Sequence, residues 1–139
     1  MQTVLIVDDW RRLRRRLDDH LTEAGYFTVL ADTGQEALGI LRSLHVDLLV
    51  SREHLADIEG TVLAEIARRQ GFEELVIVLE AEDGGAEQSA LDRGIVDAIV
   101  PRGVDVEPLV RLIRKLLRPV VYLTPPSAGF GETCIPAMA

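Results

Sequence analysis

The sequence predicts an α/β fold in which one parallel β-sheet is covered by helices on both of its faces. First, five short apolar runs alternate along the 139 residues with segments whose apolar side chains recur every three or four positions. Second, most of these runs are continuously apolar, which is typical of strands that are buried on both faces. Third, the connections are short, and successive parallel strands each require a helical crossover. These observations predict five strand–helix units in one domain.

The first unit contains a strand at residues 4–7 and a helix that begins directly after Asp8 and Asp9. The strand is a continuous run of valine, leucine and isoleucine, as expected for a central strand. Gly25 follows the helix in the position that favours a left-handed cap. The helix face that we expect to be buried is formed by Trp10, Leu13, Leu17, Leu21 and Ala24.

The second and third strands are predicted at residues 27–31 and 47–51. Between them, Thr33 and Glu36 stand at the spacing of a capping box, so the second helix begins at this point. Its inward-facing residues are predicted to be Ala37, Leu38, Leu41 and Leu44.

The other elements follow in the same alternation. A third helix begins near Gly60, and the most hydrophobic run of the chain, at residues 75–79, is predicted to be the fourth strand. A weak helix at residues 86–93 and a fifth strand at residues 96–100 come next. The fifth helix is amphipathic, and it ends before Pro119 because proline cannot continue a helix.

The composition changes at residue 119, which divides the chain into a domain at residues 1–118 and a tail at residues 119–139. The tail holds four of the six prolines and a single charged residue, and residues 120–123 form a candidate short strand. Apolar side chains such as Phe130 in this nearly uncharged segment favour docking on the domain, exchange with a neighbour or binding to a partner. A passive linker is the alternative.

The charge is distributed unevenly along the chain. The formal net charge is −8, and five of the 15 basic residues lie within residues 11–16. The other ten basic residues stand against 23 acidic ones, a balance of −13, which argues against nucleic acid as a partner. Cations near a helix N-terminus oppose the helix dipole, so the patch does not serve helix stability. The first interpretation is a solvated helix face without a function, and the other is binding to an acidic partner or to the acidic surface of a second copy. The patch consists of Arg11, Arg12, Arg14, Arg15 and Arg16.

Composition also bears on compartment and chemistry. The single cysteine, Cys134, cannot form an internal disulfide, and we find neither a signal-peptide pattern nor an apolar run of ~20 residues. We therefore expect a soluble cytoplasmic protein without a membrane span. The three histidines lack the spacing of metal ligands, and no strand end carries a nucleophile with its base. We accordingly expect no metal, no cofactor and no enzymatic activity.

Open parallel sheets carry their chemistry beyond the carboxyl ends of the strands. Two adjacent carboxylates at the first of these ends are typical of a Mg²⁺ site, with a solvated loop as the alternative. The residues at the predicted strand ends are Asp8 and Asp9 (first), Arg52 (third), Glu80 (fourth) and Pro101 (fifth).

These motifs resemble response-regulator receiver domains, the flavodoxin-like phosphorylation modules of bacterial two-component signalling. The segment VLIVDD at residues 4–9 resembles the first strand and acidic pair of the family, and DLLVSR at residues 47–52 resembles its third strand. Gly60 follows Arg52 at the family's spacing of eight, and GIVDAIVPR resembles the segment before the family's lysine–proline pair. The resemblance covers about five-sixths of the chain and implies a doubly wound (βα)5 sheet with strand order 2-1-3-4-5.

The same resemblance indicates that the phosphorylation chemistry is lost. The family's phosphoacceptor aspartate falls on Arg52, its hydroxyl residue on Glu80, its lysine on Pro101 and its switch aromatic on Ala98. Arginine has no nucleophilic oxygen and stays protonated, so it cannot form an acyl phosphate. Only the acidic pair remains, and we expect a site that cannot be phosphorylated.

Arg52 is predicted to take the place of both the metal and the phosphoryl group. Its guanidinium would pair with Asp8 or Asp9, and Glu80 is a further candidate partner, because one planar cation stands among three carboxylates. The alternative is that Arg52 extends into solvent.

An interaction surface is predicted where receiver domains usually form their output and dimer face, on the fourth helix, fifth strand and fifth helix. Ile95 and Val96 add apolar side chains there, beside Ala98, and this favours a standing protein interface such as a homodimer. Packing of Ile95 against the core is the alternative.

We therefore expect a non-phosphorylatable pseudo-receiver, held in one conformation, that acts as a protein-interaction or scaffolding module. One alternative is a receiver that a ligand or metal controls at Asp8 and Asp9. Others are the receiver-like part of a transcription regulator and an enzyme of another flavodoxin-like family.

Overall fold

The computed structural model describes residues 1–82, 85–118, 121–123 and 135–137, with the backbone alone for residues 11–13 and for the last two ranges. Five strand–helix units fill the first two ranges, as the alternation of apolar runs predicts. The strands are β1 (Thr3–Val7), β2 (Phe27–Ala31), β3 (Leu48–Arg52), β4 (Val76–Ala81) and β5 (Ala98–Pro101). The helices are α1 (Arg11–Glu23), α2 (Gly34–Ser43), α3 (Gly60–Arg69), α4 (Gly85–Asp92) and α5 (Val106–Leu116).

The five strands form one parallel sheet in the order β2-β1-β3-β4-β5, which confirms the predicted flavodoxin-like topology. Each face of the sheet supports its own apolar core. One core contains Ala37 of α2, Leu63 of α3 and Ala90 of α4, and the other contains Leu21 of α1 and Ile113 of α5. Helices α1 and α5 therefore cover one face, and α2, α3 and α4 cover the opposite face.

The order of the strands determines which chain ends meet. Strand β1 pairs with β3, so the residues that follow Val7 lie beside the end of β3. Strand β3 pairs with β4, and Arg52 is the register partner of Glu80. The carboxyl ends of three central strands thus lie at one edge of the sheet, where open α/β sheets place their sites.

Strand boundaries differ from the prediction at several ends. Strand β3 ends at Arg52, one residue later than predicted, and β4 ends at Ala81, two residues later, so Arg52 and Glu80 both lie within strands. Strand β5 begins at Ala98, two residues later than predicted, because residues 95–97 connect α4 to the sheet.

Three apolar side chains are placed differently from the prediction. Trp10 precedes the first helix in an extended conformation and is 53% exposed, so it does not belong to the buried face of α1. Leu44 follows the last turn of α2 and is exposed. Val96 is 1% exposed and packs in the α2–α3–α4 core, so the prediction that it forms an apolar interface is wrong.

The predicted start of α2 is confirmed with one change. The Thr33 hydroxyl accepts a hydrogen bond from the Glu36 backbone N–H at 3.1 Å. The Glu36 carboxylate accepts from the N–H of Asp32, one residue before the partner that a capping box would use. Gly25 has φ of 96° after α1, the left-handed conformation expected of it.

Beyond residue 118, strands β6 (Val121–Leu123) and β7 (Ile135–Ala137) pair antiparallel in a separate two-stranded sheet. Strand β6 covers most of the predicted short strand, whereas the sequence pattern did not predict β7. Among the described residues, no helix combines the length and apolar character needed to cross a membrane.

Candidate functional site

Arg52 stands at the carboxyl end of β3 and turns its guanidinium toward the chain that follows β1. Its Nη1 donates to Asp9 Oδ1 at 3.0 Å and lies 3.7 Å from Asp8 Oδ1. The Arg52 side chain is 13% exposed, so it does not extend into solvent. Arg52 consequently supplies a fixed positive charge against the acidic pair.

Asp8 is the buried member of the pair. Burial raises the pKa of its carboxyl group above the ordinary value, whereas the Trp10 N–H and the Arg52 guanidinium act in the opposite direction. Glu80 and Asp9 add repulsion that also raises this pKa. The Trp10 N–H donates to Asp8 Oδ1 at 2.7 Å, which orients the carboxylate. Arg52 is the cation that offsets this crowding of negative charge.

Trp10 forms part of the outer wall of the site. The Arg52 Cζ atom lies 6.0 Å from the centre of the Trp10 ring, at the distance of a cation–π contact. The same residue therefore orients Asp8 through its backbone and contacts Arg52 through its ring.

Glu80 is the penultimate residue of β4 and Pro101 the last residue of β5, and neither joins the Arg52 ion pairs. Within the described part of the chain, the Glu80 carboxylate accepts from the N–H of Gly103 at 3.3 Å and forms no ion pair with Arg52. The expected participation of Glu80 in the cluster is therefore wrong, because its carboxylate turns toward the β5–α5 loop. Pro101 is the exposed last residue of β5 and brings no charge to the site.

The loop that follows Arg52 is attached to two helices. The Glu53 carboxylate is buried and accepts from the Thr61 N–H at 2.7 Å and from the Thr61 hydroxyl at 3.0 Å. The Asp57 carboxylate accepts from the N–H groups of Gly34 and Gln35, each at 2.9 Å. These carboxylates satisfy the free N–H groups at the starts of α3 and α2, respectively.

Burial raises the pKa of the Glu53 carboxyl group, and the Thr61 hydrogen bonds oppose that effect. Repulsion from Glu87 and Glu59 raises it further. The pKa of Asp57 is lowered: burial would raise it, but hydrogen bonds from backbone N–H groups, those of Gly34 and Gln35 first, favour its ionised form. The pKa of Glu53 is therefore shifted upward and the pKa of Asp57 downward.

The predicted interaction residues fall into four groups. Arg15 and Arg16 are exposed on α1, whereas Ile95 and Ala98 are partly buried against the two cores. Val96 is buried, as described above. The side chains of Arg11 and Arg12, and all of Phe130, lie outside the described residues.

A Mg²⁺ ion does not fit the acidic pair as it is arranged here. The cation that the pair holds is the guanidinium of Arg52, 3.0 Å from Asp9 and 3.7 Å from Asp8. A divalent ion at the same oxygens would meet that positive charge at close range. No group of three or more histidine, cysteine or acidic residues suited to a metal occurs in the part of the chain that the structure describes.

Sequence reasoning missed the roles of Trp10, Glu53 and Asp57. Trp10 follows two aspartates and precedes an arginine run, so its position before the helix could have been inferred from its neighbours. The Glu53 carboxylate binds Thr61, eight residues later, and the Asp57 carboxylate binds Gly34, 23 residues earlier. No local pattern indicates the Asp57 contact, because it depends on the packing of the β3–α3 loop against the start of α2.

Comparison with known proteins agrees with the fold. The profile of the response regulator receiver domain family matches residues 4–114. The response regulator MprA of Mycolicibacterium vanbaalenii is 34% identical over 131 residues, which are 94% of this chain and 54% of that protein. The transcriptional regulatory protein PcoR of Escherichia coli is 32% identical over 119 residues, covering 85% of this chain and 52% of PcoR. The chain spans about half the length of the curated relatives it matches.

Two solved structures illustrate the shared architecture. The response regulator TrrA of Thermotoga maritima, crystallised with Mg²⁺ and BeF, is 28% identical, with a TM-score of 0.72 over 84% of this chain and 100% of TrrA. The chemotaxis response regulator CheY4 of Vibrio cholerae shares the fold, with a TM-score of 0.78 at 22% identity over 84% of this chain and 99% of CheY4. The parallel order of the sheet, the acidic pair after its first strand and the match over residues 4–114 lead to one conclusion: the chain belongs to the response regulator receiver domain family.

Proposed function

We propose that this chain is a receiver domain that cannot be phosphorylated and that works as a protein-interaction module held in one conformation. The observation that carries the proposal is the Arg52 guanidinium, which lies against Asp9 and Asp8 at the end of β3. The family resemblance assigns the phosphoacceptor to this position, and arginine offers no oxygen for an acyl phosphate. The domain then acts in the cytoplasm by binding proteins and without catalysing a reaction.

Fixed contacts around Arg52 support the single conformation. Its guanidinium joins β3 to the residues after β1, and the next residue, Glu53, bonds to the start of α3. Asp57 bonds to the start of α2. The segment that would respond to a phosphoryl group is thus attached to three elements, so a change in its shape would require several of these bonds to break.

The direct test is treatment with acetyl phosphate and Mg²⁺, followed by intact-mass measurement and by the fluorescence of Trp10, the single tryptophan. The natural chain should gain no phosphoryl group, and its fluorescence should stay constant as Mg²⁺ is added. A matched variant, Arg52→Asp with Glu80→Thr and Pro101→Lys, restores the residue types of the family and should gain one phosphoryl group.

A phosphoryl group on the natural chain would disprove the proposal. Saturable quenching of Trp10 by Mg²⁺ without phosphorylation would favour the alternative in which a metal controls the acidic pair. A variant that also stays unmodified would make the mass result uninformative, and the Mg²⁺ titration of the natural chain would then decide.

A second candidate is that the chain is the receiver part of a longer transcription regulator. It is favoured by the partial coverage of the relatives, one of which is named a transcriptional regulatory protein. DNA contact would then belong to another domain, because this one carries a net charge of −8. An antibody raised against this domain would detect a protein well above 15.4 kDa in the source cells if this candidate is correct.

A further inference from the structure

The outer side of β2 is an open edge of the five-stranded sheet. Strand β2 stands first in the sheet order, and among the described strands only β1 pairs with it. The Phe27 N–H and the Ala31 carbonyl both bond to the β1 side. Because backbone groups alternate in direction along a strand, the N–H and carbonyl groups of Thr28 and Leu30 point away from β1. An open row of such groups is a template for pairing with another strand.

The sequence of β2 lacks the features that usually protect such an edge. Sheet edges are commonly blocked by charged side chains, by proline or by a bulge. Strand β2 reads FTVLA, so it has neither a charge nor a proline, and its pairing with β1 is uninterrupted. Phe27 is 52% exposed and lines the same cavity as the exposed Met1. The opposite edge differs, because β5 ends in Pro101.

Helix α1 lies along this edge, and its charges run in the order opposite to the one that its dipole favours. The Asp18 carboxylate accepts from the Thr28 hydroxyl, which places α1 beside β2. The arginines of residues 11–16 occupy the first half of the helix, and its first turn has no acidic residue. Asp18, Asp19 and Glu23 occupy the second half. Anions stabilise the N-terminus of a helix and cations its C-terminus, so this order does not stabilise α1 within one copy.

A second copy of this chain satisfies the open edge. When two β2 strands pair antiparallel, Val29 of one copy lies on the two-fold axis opposite Val29 of the other. The outward N–H and carbonyl groups of Thr28 then bond to those of Leu30 in the other copy, and the two equivalent pairs make four hydrogen bonds. Phe27 stands opposite Ala31 of the other copy, so its exposed ring becomes covered.

The same axis brings together opposite charges. It reverses one α1 relative to the other, and the contact of Asp18 with Thr28 places the middle of each helix next to the axis. The arginine half of one helix therefore lies beside the acidic half of the other. Arg15 and Asp19, both exposed, stand on either side of this middle, so Arg15 of one copy faces Asp19 of the other.

We propose that this chain forms a two-fold symmetric dimer through the outer edge of β2, with the charges of the two α1 helices paired across the axis. The two five-stranded sheets then become one continuous sheet. Such a contact is isologous, so it closes at two copies. The edge that it uses lies on the opposite side of the sheet from β5, and the inference stands whether or not the chain can be phosphorylated.

Sedimentation velocity over a concentration series, at low and at high salt, tests this dimer. The natural chain should pass from monomer to dimer and no further, and the dimer should weaken as salt is added, because the α1 contact is ionic. Thr28→Pro removes the outward N–H, and with it two of the four hydrogen bonds between copies, so association should weaken roughly tenfold or more. The matched control Thr28→Val also loses the hydroxyl but keeps the N–H, and it should dimerise like the natural chain.

Charge reversal on α1 tests the antiparallel arrangement without changing β2. Arg15→Glu and Asp19→Arg each place like charges across the axis, so each should weaken the dimer. The double variant Arg15→Glu/Asp19→Arg reverses both partners and should dimerise like the natural chain. An equimolar mixture of the two single variants should form a mixed dimer, because each contact across its axis then joins opposite charges.

Circular dichroism establishes that each variant is folded, and the α1 variants decide the question if Thr28→Pro is not. The proposal is overturned if the natural chain stays monomeric throughout or grows beyond two copies. It is also overturned if Thr28→Val weakens the dimer as much as Thr28→Pro, if the dimer survives both single reversals on α1, or if neither the double variant nor the mixture regains it.

Discussion

At the scale of single residues, Arg52 determines the balance of charge in the site. Arg52 brings a permanent cation to two carboxylates, and Asp8 is buried where a negative charge is costly. Glu53, the next residue, is also a buried carboxylate, but its partners are the N–H and hydroxyl groups of Thr61. The negative charge of the buried Asp8 is thus offset by an arginine, whereas that of the buried Glu53 is offset by hydrogen bonds.

Arg52→Ala should lower the free energy of unfolding by about 2 kcal/mol, between the ~0–1 kcal/mol of an exposed ion pair and the ~3–5 kcal/mol of a buried one. Its guanidinium is largely buried, whereas Asp9 is 40% exposed. Urea denaturation at neutral pH measures the change. The matched control is Arg102→Ala, which removes a largely exposed pair and should have a small effect. Equal effects of the two substitutions would show that Arg52 does not hold the site together.

Glu53 should make stability depend on pH. The pKa of Glu53 in the folded state is raised above the ordinary value of 4.5. At pH values between 4.5 and this raised pKa, the folded state therefore binds more protons than the unfolded state. The contribution of Glu53 to stability therefore falls as the pH rises through this window. Asp8 acts in the same direction and Asp57 in the opposite one.

The variant Glu53→Gln isolates this effect, because glutamine can accept from the Thr61 N–H and donate to its hydroxyl. The free energy of unfolding of the natural chain, relative to this variant, should fall as the pH rises from 4.5 toward neutrality. Urea denaturation at a series of pH values measures it. A difference that is constant or that grows with pH would contradict the raised pKa.

At the scale of elements, the loop between β3 and α3 is held by close backbone packing as well as by its carboxylates. A Cβ atom on Gly60 would lie 2.5 Å from the Arg52 carbonyl oxygen and 2.9 Å from Leu79 Cδ2. The first residue of α3 must therefore be glycine for the helix to begin directly against the end of β3. In this chain, the close approach of Gly60 to the Arg52 carbonyl oxygen explains why a glycine stands eight residues after Arg52.

Gly60→Ala should destabilise the protein by roughly 1–3 kcal/mol, because the backbone must shift to admit the methyl group. The control is Gly39→Ala inside α2, where no atom lies within 4 Å of the added Cβ. That substitution should raise stability by up to ~1 kcal/mol, because alanine favours a helix more than glycine does. Thermal or urea unfolding compares the two. If Gly60→Ala proves neutral, the close contact with Arg52 is not restrictive.

At the scale of the whole molecule, the two helical layers divide the apolar cores, and a third of the basic residues lie in one short stretch of the sequence. Residues 11–16 hold five of the 15 basic residues, while the whole chain has a net charge of −8. In the described part of the tail, residues 121–123 and 135–137, β6 and β7 pair with each other and neither joins the five-stranded sheet. The central sheet is thus complete by residue 118.

A chain that ends at Arg118 should therefore unfold in urea with nearly the same midpoint and slope as the full chain. Its last helix remains attached, because Gln2 Nε2 donates to the Leu117 carbonyl oxygen at 2.9 Å. The full chain is the reference in the same experiment. A clear loss of stability would mean that the tail packs on the domain, which is one of the interpretations that the sequence leaves open.

The sequence by itself determined the fold of this protein and, to within two residues, where its strands end. Continuous apolar runs separated by amphipathic segments suffice for this, because burial on both faces of a sheet imposes that pattern locally. The resemblance to receiver domains then implied that Arg52 stands where the family has its phosphoacceptor aspartate.

Only the tertiary structure decided how these residues are used. Trp10 and Val96 both read as apolar, yet one is exposed over Arg52 and the other is buried beneath α4. Glu80 turned away from Arg52, whereas Asp57 reached α2. The direction of a side chain at a strand end and a contact between loops distant in sequence depend on three-dimensional packing, which no local periodicity records.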